Sequence, residues 1–293
     1  MLNYLTQMEI ENTNKTFVFG QFCQQTLTGG PARHSSELVT GGGSVDIKLT
    51  GIVIVAGNYG SGKTEVSINL AVHRRRAGVD VRIADLDLVN PYFRTREAKA
   101  NLTRLGIDVV VPADAYLQAD LPILSPAIAG MIRHPSQLVI LDTGGDNVGA
   151  TVLASLAEPL QDQPVRMLQV VNPFRPFTET LEGCQRIQKE IERASRLRVT
   201  GIIGNPNLID DTTLEDLYRG YDFTVRLSRE AGLPLEFMTA ASHLLPQIES
   251  NRWNCPVLPL QRQLVPPWKT GADFGTGKNV LQFPRGTKPG VRI

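Results

Sequence analysis

The octapeptide GNYGSGKT at residues 57–64 constrains this chain more than any other stretch, because it joins an apolar run, GIVIVAG (51–57), to a helix-period segment, TEVSINLAVHRRR (64–76). Its spacing is G-x-x-x-x-G-K-T. Gly57, Gly60 and Gly62 let the backbone bend until successive N–H groups point inward on an anion, and the helix behind adds the positive end of its dipole. Lys63 brings an ammonium to that point and Thr64 a hydroxyl suited to Mg²⁺. Asn58, Tyr59, Ser61 and Glu65 belong to the same candidate cradle. The competing reading is a glycine-rich strand-to-helix turn with a fortuitous lysine, and the complete pattern between a strand and a helix argues against it.

A strand, a loop and a helix in that order start a βα unit, and the rest of the chain repeats the theme. Further apolar runs are VRIAD (81–85), DVVV (108–111), LVILD (138–142), VRMLQVV (165–171), VTGIIG (199–204) and PLEFMTA (234–240). Most are continuous rather than alternating, as expected of strands covered on both faces. The fold expected is α/β, a doubly wound, mainly parallel sheet with helices on both faces. A helix is expected to begin near Pro176, with Cys184 on its apolar stripe as a buried structural thiol, and Thr212 with Glu215 reads as a capping box for the next helix. Residues 1–48, with one strand-like stretch at Thr16–Phe19 and a glycine-rich end, read as a partly flexible extension. Residues 49–262 read as the domain, and 263–293 as a tail too rich in proline and glycine for one long helix.

Two further acidic sites follow strands. Asp142 closes LVIL and precedes Thr143, Gly144 and Gly145, where a carboxylate can hold a metal's water shell and the glycines allow close approach to a terminal phosphate. Asp85 and Asp87 follow the second strand, one placed to act on the metal and the other to position an attacking water. The plainer reading of that pair is a polar strand end that caps a helix starting near Phe93.

Composition removes other classes. Thirty basic and 29 acidic residues leave a net charge of +1, which gives no global reason to expect nucleic acid. Arg74–Arg76 reads as a solvated helix end in preference to a DNA patch. Cys23, Cys184 and Cys255 are too dispersed for a disulfide framework or a self-contained iron–sulfur site. No apolar run is long enough to span a bilayer and the start lacks a secretory pattern, so a cytoplasmic protein is expected.

Taken together, the phosphate loop, the D-L-D at 85–87, the D-T-G-G at 142–145 and the Asn205 that follows VTGIIG resemble the MinD/ParA/CobQ/CobB superfamily, the SIMIBI class of P-loop proteins, over roughly residues 50–260. The resemblance is nearest to MinD-type ATPases, which dimerise around ATP and act as switches on partners. It implies MgATP as ligand, with Lys63 and Thr64 on phosphate and Mg²⁺, Asp87 as the water-contacting acid, Asp85 and Asp142 near the metal, and Asn205 on adenine. The G-N-P-N at 204–207, without the N-K-x-D of guanine-specific relatives, favours ATP. The chain departs from the pattern at Asn58, where MinD-type loops carry a signature lysine that reaches across the dimer; Arg94 and Arg96 are candidates for a substitute charge. The expected role is a slow ATPase working as a homodimer on an unidentified protein partner, as a maturation or loading factor. The alternative, also within the superfamily, is an ATP-dependent synthetase that activates a carboxylate, with Val89–Arg96 or Pro112–Asp120 lining its second pocket. A third, a nucleotide-sensing scaffold, leaves Asp87 without a purpose.

Overall fold

In the computed structural model of this chain the described residues are 46–87, 95–111, 126–145, 152–161, 163–249, 252–265, 271–272 and 274–275. The apolar runs form β1 (Gly51–Gly57), β2 (Val81–Asp85), β3 (Asp108–Val110), β4 (Leu138–Asp142), β5 (Val165–Val171), β6 (Val199–Gly204) and β7 (Leu235–Ala241). An eighth strand, β8 (Val257–Leu260), joins them. All pair in parallel in the order β3-β2-β4-β1-β5-β6-β7-β8. Connectivity reverses across β1, which lies between β4 and β5, and this opens a crevice beyond the strands' carboxyl ends at the place where the loop after β1 emerges.

The helices are α1 (Lys63–Arg76), α2 (Lys99–Arg104), α3 (Pro126–Arg133), the single turn α4 (Ala157–Leu160), α5 (Leu181–Ser195) and α6 (Leu214–Ala231). Side chains of β1 divide between the two faces: Val53 and Val55 join a core with Ile68, Leu70 and Phe237, while Ile52 and Ile54 join another with Ile128, Met131 and Leu141. Burial on both faces is why the central strands are continuous apolar runs. Every residue of α1 from Val66 to Val72 is buried.

Several local expectations shift. The helix expected from Pro176 starts at Leu181, where the Thr180 hydroxyl accepts the Gly183 N–H at 3.1 Å. Residues before it form a turn in which Phe177 has φ +70 and is exposed. Cys184 is buried on α5 as expected, its thiol pushed up to about 12 by burial. The capping box of α6 is Thr213 with Asp216, one residue later than Thr212 with Glu215. Thr212 is already committed to the preceding turn, accepting the Leu208 N–H at 2.8 Å and donating to the Ile209 carbonyl at 3.0 Å.

The 74–76 arginines are not a solvated end. Arg74 is buried, Arg75 donates to the Leu105 carbonyl at 3.0 Å, and Arg76 donates to the Phe274 carbonyl. Their aliphatic stems cover apolar surface while the guanidinium groups tie α1 to neighbouring loops. β8 was hidden by Pro256 and Pro259. At the sheet edge it is tolerated, because the Pro256 and Leu260 carbonyls face β7 and Pro259, between them in register, turns its missing N–H outward.

Ile47, Leu49, Leu264 and Phe274 pack into the core. The strand-like stretch at 16–19, the segment 112–120 and Arg94 lie outside the described residues. Among the described residues no helix is long and apolar enough to cross a membrane.

Candidate functional site

The loop at 57–64 has the bends its glycines permit. Gly60 and Gly62 sit at φ +71 and +89, and a β-carbon on Gly62 would lie 2.3 Å from Nδ2 of Asn205. That Asn205 amide donates to the Ser61 carbonyl at 2.7 Å and accepts from Thr239 Oγ1 at 2.5 Å, so β6 and β7 brace the loop from below. Asn205 therefore holds the loop in shape, with its oxygen and one N–H occupied. Lys63, buried, donates to the Asn58 carbonyl at 3.0 Å, which holds its ammonium across the loop. Asn58 itself accepts from the Tyr59 N–H at 2.8 Å and donates to the Pro176 carbonyl at 2.9 Å. Gly145 closes in from β4: a β-carbon there would lie 2.7 Å from Lys63 Nζ and 2.7 Å from Tyr59 Cα, so this position has room for glycine alone.

Behind the loop stand the two strand-end acids. Asp85 and Asp142 are register partners on adjacent parallel strands, and both are fully buried. Asp142 accepts from Ser67 Oγ at 3.2 Å, from Thr95 Oγ1 at 2.8 Å and from the Thr64 hydroxyl. Asp85 accepts from Arg96 Nε at 3.1 Å and from the Asp87 N–H at 3.0 Å. Burial, then the adjacent Asp85, push the Asp142 carboxyl up to about 7 against the opposing hydrogen bonds, and burial also raises Asp85 despite Arg96. Among the described residues no group of three or more His, Cys, Asp or Glu side chains gathers to hold a metal alone. A pair of buried carboxylates, one bonded to a threonine hydroxyl, suits Mg²⁺, which keeps waters and takes its other oxygens from phosphates. Arg96, one candidate for the substitute charge, is engaged by Asp85 and by the Asp87 carbonyl at 3.2 Å.

A cavity of about 420 Å³ runs from this loop toward β7 and β8. Tyr59, Gly60, Lys63, Thr64, Asp87, Gly145 and Asn205 line one end, and Ile209, Ala241, Leu260 and Leu264 the other. That second end is closed by the strand and segment that the sequence did not reveal. Asn69 of α1 clamps Gln261, donating to its carbonyl at 3.2 Å and accepting its N–H at 2.8 Å. The Glu65 carboxylate accepts the N–H groups of Gln263 and Leu264 at 2.8 and 3.0 Å. Glu65, expected at the phosphates, thus serves as an anchor for the far wall, and burial raises its pKa.

Sequence reasoning also passed over Ser67 and Thr95, which hold Asp142, and Arg175, which lines the cavity beside Gly60. The available signal for Arg175 was its place four residues beyond β5, since carboxyl ends of strands surround a crevice of this kind.

The parallel sheet, the loop after its first strand and the acid at the end of the neighbouring strand together define an α/β P-loop NTPase fold. No family model matches the chain, and no curated protein matches it significantly. Among solved structures it is similar to the cell division protein FtsY of Thermotoga maritima, at 24% identity over 65% of this chain and 61% of that one, with a TM-score of 0.47. It is also similar to the 54 kDa signal recognition particle protein of Aeropyrum pernix in complex with GDP, at 18% identity over 64% of this chain and 40% of that one, with a TM-score of 0.41. A third is the FtsY of Elizabethkingia anophelis in complex with GDP, at 20% identity over 64% and 56% of the two chains and a TM-score of 0.42. The chain thus spans from 40 to 61% of the length of these proteins. Likenesses of this size speak for no particular ligand, activity or partner.

Proposed function

We propose that this chain binds a magnesium–nucleoside triphosphate, ATP in the first instance, and hydrolyses it slowly as a switch that answers to a protein partner, in the manner of the MinD/ParA group. One observation carries the reading: Lys63, Thr64 and Asp87 line a single cavity while Asp142, bonded to Thr64, and Asp85 stand buried behind it. The loop N–H groups and Lys63 bind the phosphates. Mg²⁺, when bound, supplies charge neutralisation at the phosphates. Thr64 would hold it directly, and Asp142 and Asp85 would hold its water shell. Asp87, at the rim of the same cavity, orients the attacking water and takes its proton. For the base, support comes from the Asn205-Pro206-Asn207 sequence after β6 and from the apolar walls Ala241, Leu260 and Leu264. Self-association at this face is supported by Tyr59, Phe177 and Ile209, large apolar side chains left 70, 60 and 47% exposed around the loop and cavity.

The test is phosphate release and light scattering with no nucleotide, Mg·ADP, Mg·ATP and Mg·GTP, on wild type and Asp87→Ala. Slow ATP turnover that is lost in Asp87→Ala, with association under ATP retained, is the expected result. Turnover that requires an added carboxylic acid would establish the synthetase alternative instead, and preference for GTP would overturn the choice of base.

A further inference from the structure

Resting on the nucleotide reading, we propose that Arg175 is an additional contact for the terminal phosphate of the bound triphosphate and that Asn58 is the residue that positions it. Arg175 lines the cavity with Tyr59, Gly60 and Lys63, and its Cδ lies 4.0 Å from where a β-carbon on Gly60 would sit. It comes from the opposite side of β1 to Asp85 and Asp142, so it faces the loop from the β5 flank.

Its bonding state differs from that of Arg262, the other arginine that lines the cavity, and from those of Arg96 and Arg219. Arg96 is paired with Asp85, Arg219 with Asp216 and Arg262 with Asp210. Arg175 pairs with no carboxylate among the described residues, and its Nε is shielded from solvent without a hydrogen-bond partner there. A guanidinium stays charged at any working pH and presents a planar fork of donors that matches phosphate oxygens. A charged fork without a carboxylate partner, on a side chain that lies beside Gly60, suits an anion entering the loop.

The turn that carries Arg175 is built to hold it still. Asn172 accepts the Phe174 N–H at 3.0 Å through its side chain and the Arg175 N–H at 3.2 Å through its carbonyl. Thr178 Oγ1 donates to the Asn172 carbonyl at 2.7 Å. Phe177 is kept at φ +70, a conformation that a bulky residue adopts only when its surroundings impose it. Its carbonyl is pressed against α5 at Gly183, where a β-carbon would stand 2.3 Å away. The bond from Asn58 Nδ2 to the Pro176 carbonyl then ties this turn to the phosphate loop, one residue from Arg175. Loop and arginine are thereby held in one register, with the arginine beside Gly60.

The test compares affinities for Mg·ATPγS and Mg·ADP by calorimetry, with GTPγS and GDP as a second pair, in wild type, Arg175→Ala, Arg175→Lys, Asn58→Ala, the Asn58→Ala/Arg175→Ala double variant and Lys63→Ala. Folding of each is checked by thermal melting. Arg175→Ala is expected to weaken the triphosphate analogue about tenfold and the diphosphate less than about twofold. Arg175→Lys recovers part of the difference. Asn58→Ala shifts the ratio in the same direction, and the double variant is no worse than Arg175→Ala, because Asn58 acts through the arginine. Loss of both ligands once Lys63 is removed, with an unchanged triphosphate-to-diphosphate ratio in both Arg175→Ala and Arg175→Lys, would overturn the inference and leave the nucleotide site standing. Additive effects of Asn58 and Arg175 would overturn the positioning role. Affinities untouched by Lys63→Ala would remove the nucleotide reading and this inference with it.

Discussion

The two ends of the cavity are built in opposite ways. The loop end is made of one continuous stretch, Gly57–Thr64, whose positive-φ glycines, buried lysine and neighbouring Gly145 leave almost no slack. The far end is gathered from separate segments: Ile209 beyond β6, Ala241 at the end of β7, and Leu260 and Leu264 at and beyond the end of β8, held on α1 by Glu65 and Asn69. A local motif concentrates strain and buried charge in a few residues, and an assembled wall spreads its stability over many ordinary hydrogen bonds. Damage to the first should be abrupt, and damage to the second graded.

Gly62→Ala tests the strained end and should have the largest effect. A methyl at φ +89, 2.3 Å from the Asn205 amide, displaces either the loop or its brace. Nucleotide affinity should fall by about 100-fold or more, read by calorimetry. Affinity within a few-fold of wild type would show that the loop has more freedom than its geometry implies.

Glu65→Ala tests the assembled end. It removes the acceptor for two backbone N–H groups and for Asn69, and should lower stability by about 2–3 kcal/mol in urea unfolding. Affinity should drop about tenfold, with Asn69→Ala giving a smaller loss in the same direction.

Acidity acts at both ends in the same direction. Folded Asp142, pushed up to about 7, binds a proton that the unfolded chain, near 3.8, does not hold between those values. Without ligand, stability should therefore rise as pH falls from about 8 toward 5, and Asp85 and Glu65, also raised, push the same way. Mg·nucleotide affinity should weaken over the same range as Asp142 is neutralised. Thermal melts of wild type and Asp142→Asn check the sign: the variant should show a flatter rise.

The smallest effect is expected at the Asp210–Arg262 pair. It spans 3.0 Å, with side chains 68 and 32% exposed. Asp210→Ala should alter stability by less than about 1 kcal/mol, read from the same urea curves. A larger loss would mean that this end is as tightly determined as the other.

The same contrast explains what could be read from the sequence. Gly57–Thr64, Asp85 and Asp142 could be gathered into one candidate site from the sequence because residue types at fixed spacing stand directly after continuous apolar strands. The wall at 260–264 could not, since Glu65 and Asn69 reach it across nearly two hundred residues and β8 is disguised by Pro259. Asn205 was found for its place after a strand, but its bonds to Ser61 and Thr239 assign it to the loop's support, which no local pattern encodes. The start of α5 was misplaced because periodicity ran on through Phe177, where left-handed backbone and the Thr180 cap set the boundary.

Calorimetric titration of Mg·ATP into wild type and Lys63→Ala, with and without excess EDTA, bears most directly on the nucleotide site. Saturable binding at one site per chain, weakened by chelation and lost in Lys63→Ala while the variant's melting remains cooperative, is the predicted result. Binding of equal strength in the two proteins, or none in wild type with ATP or GTP, would contradict it.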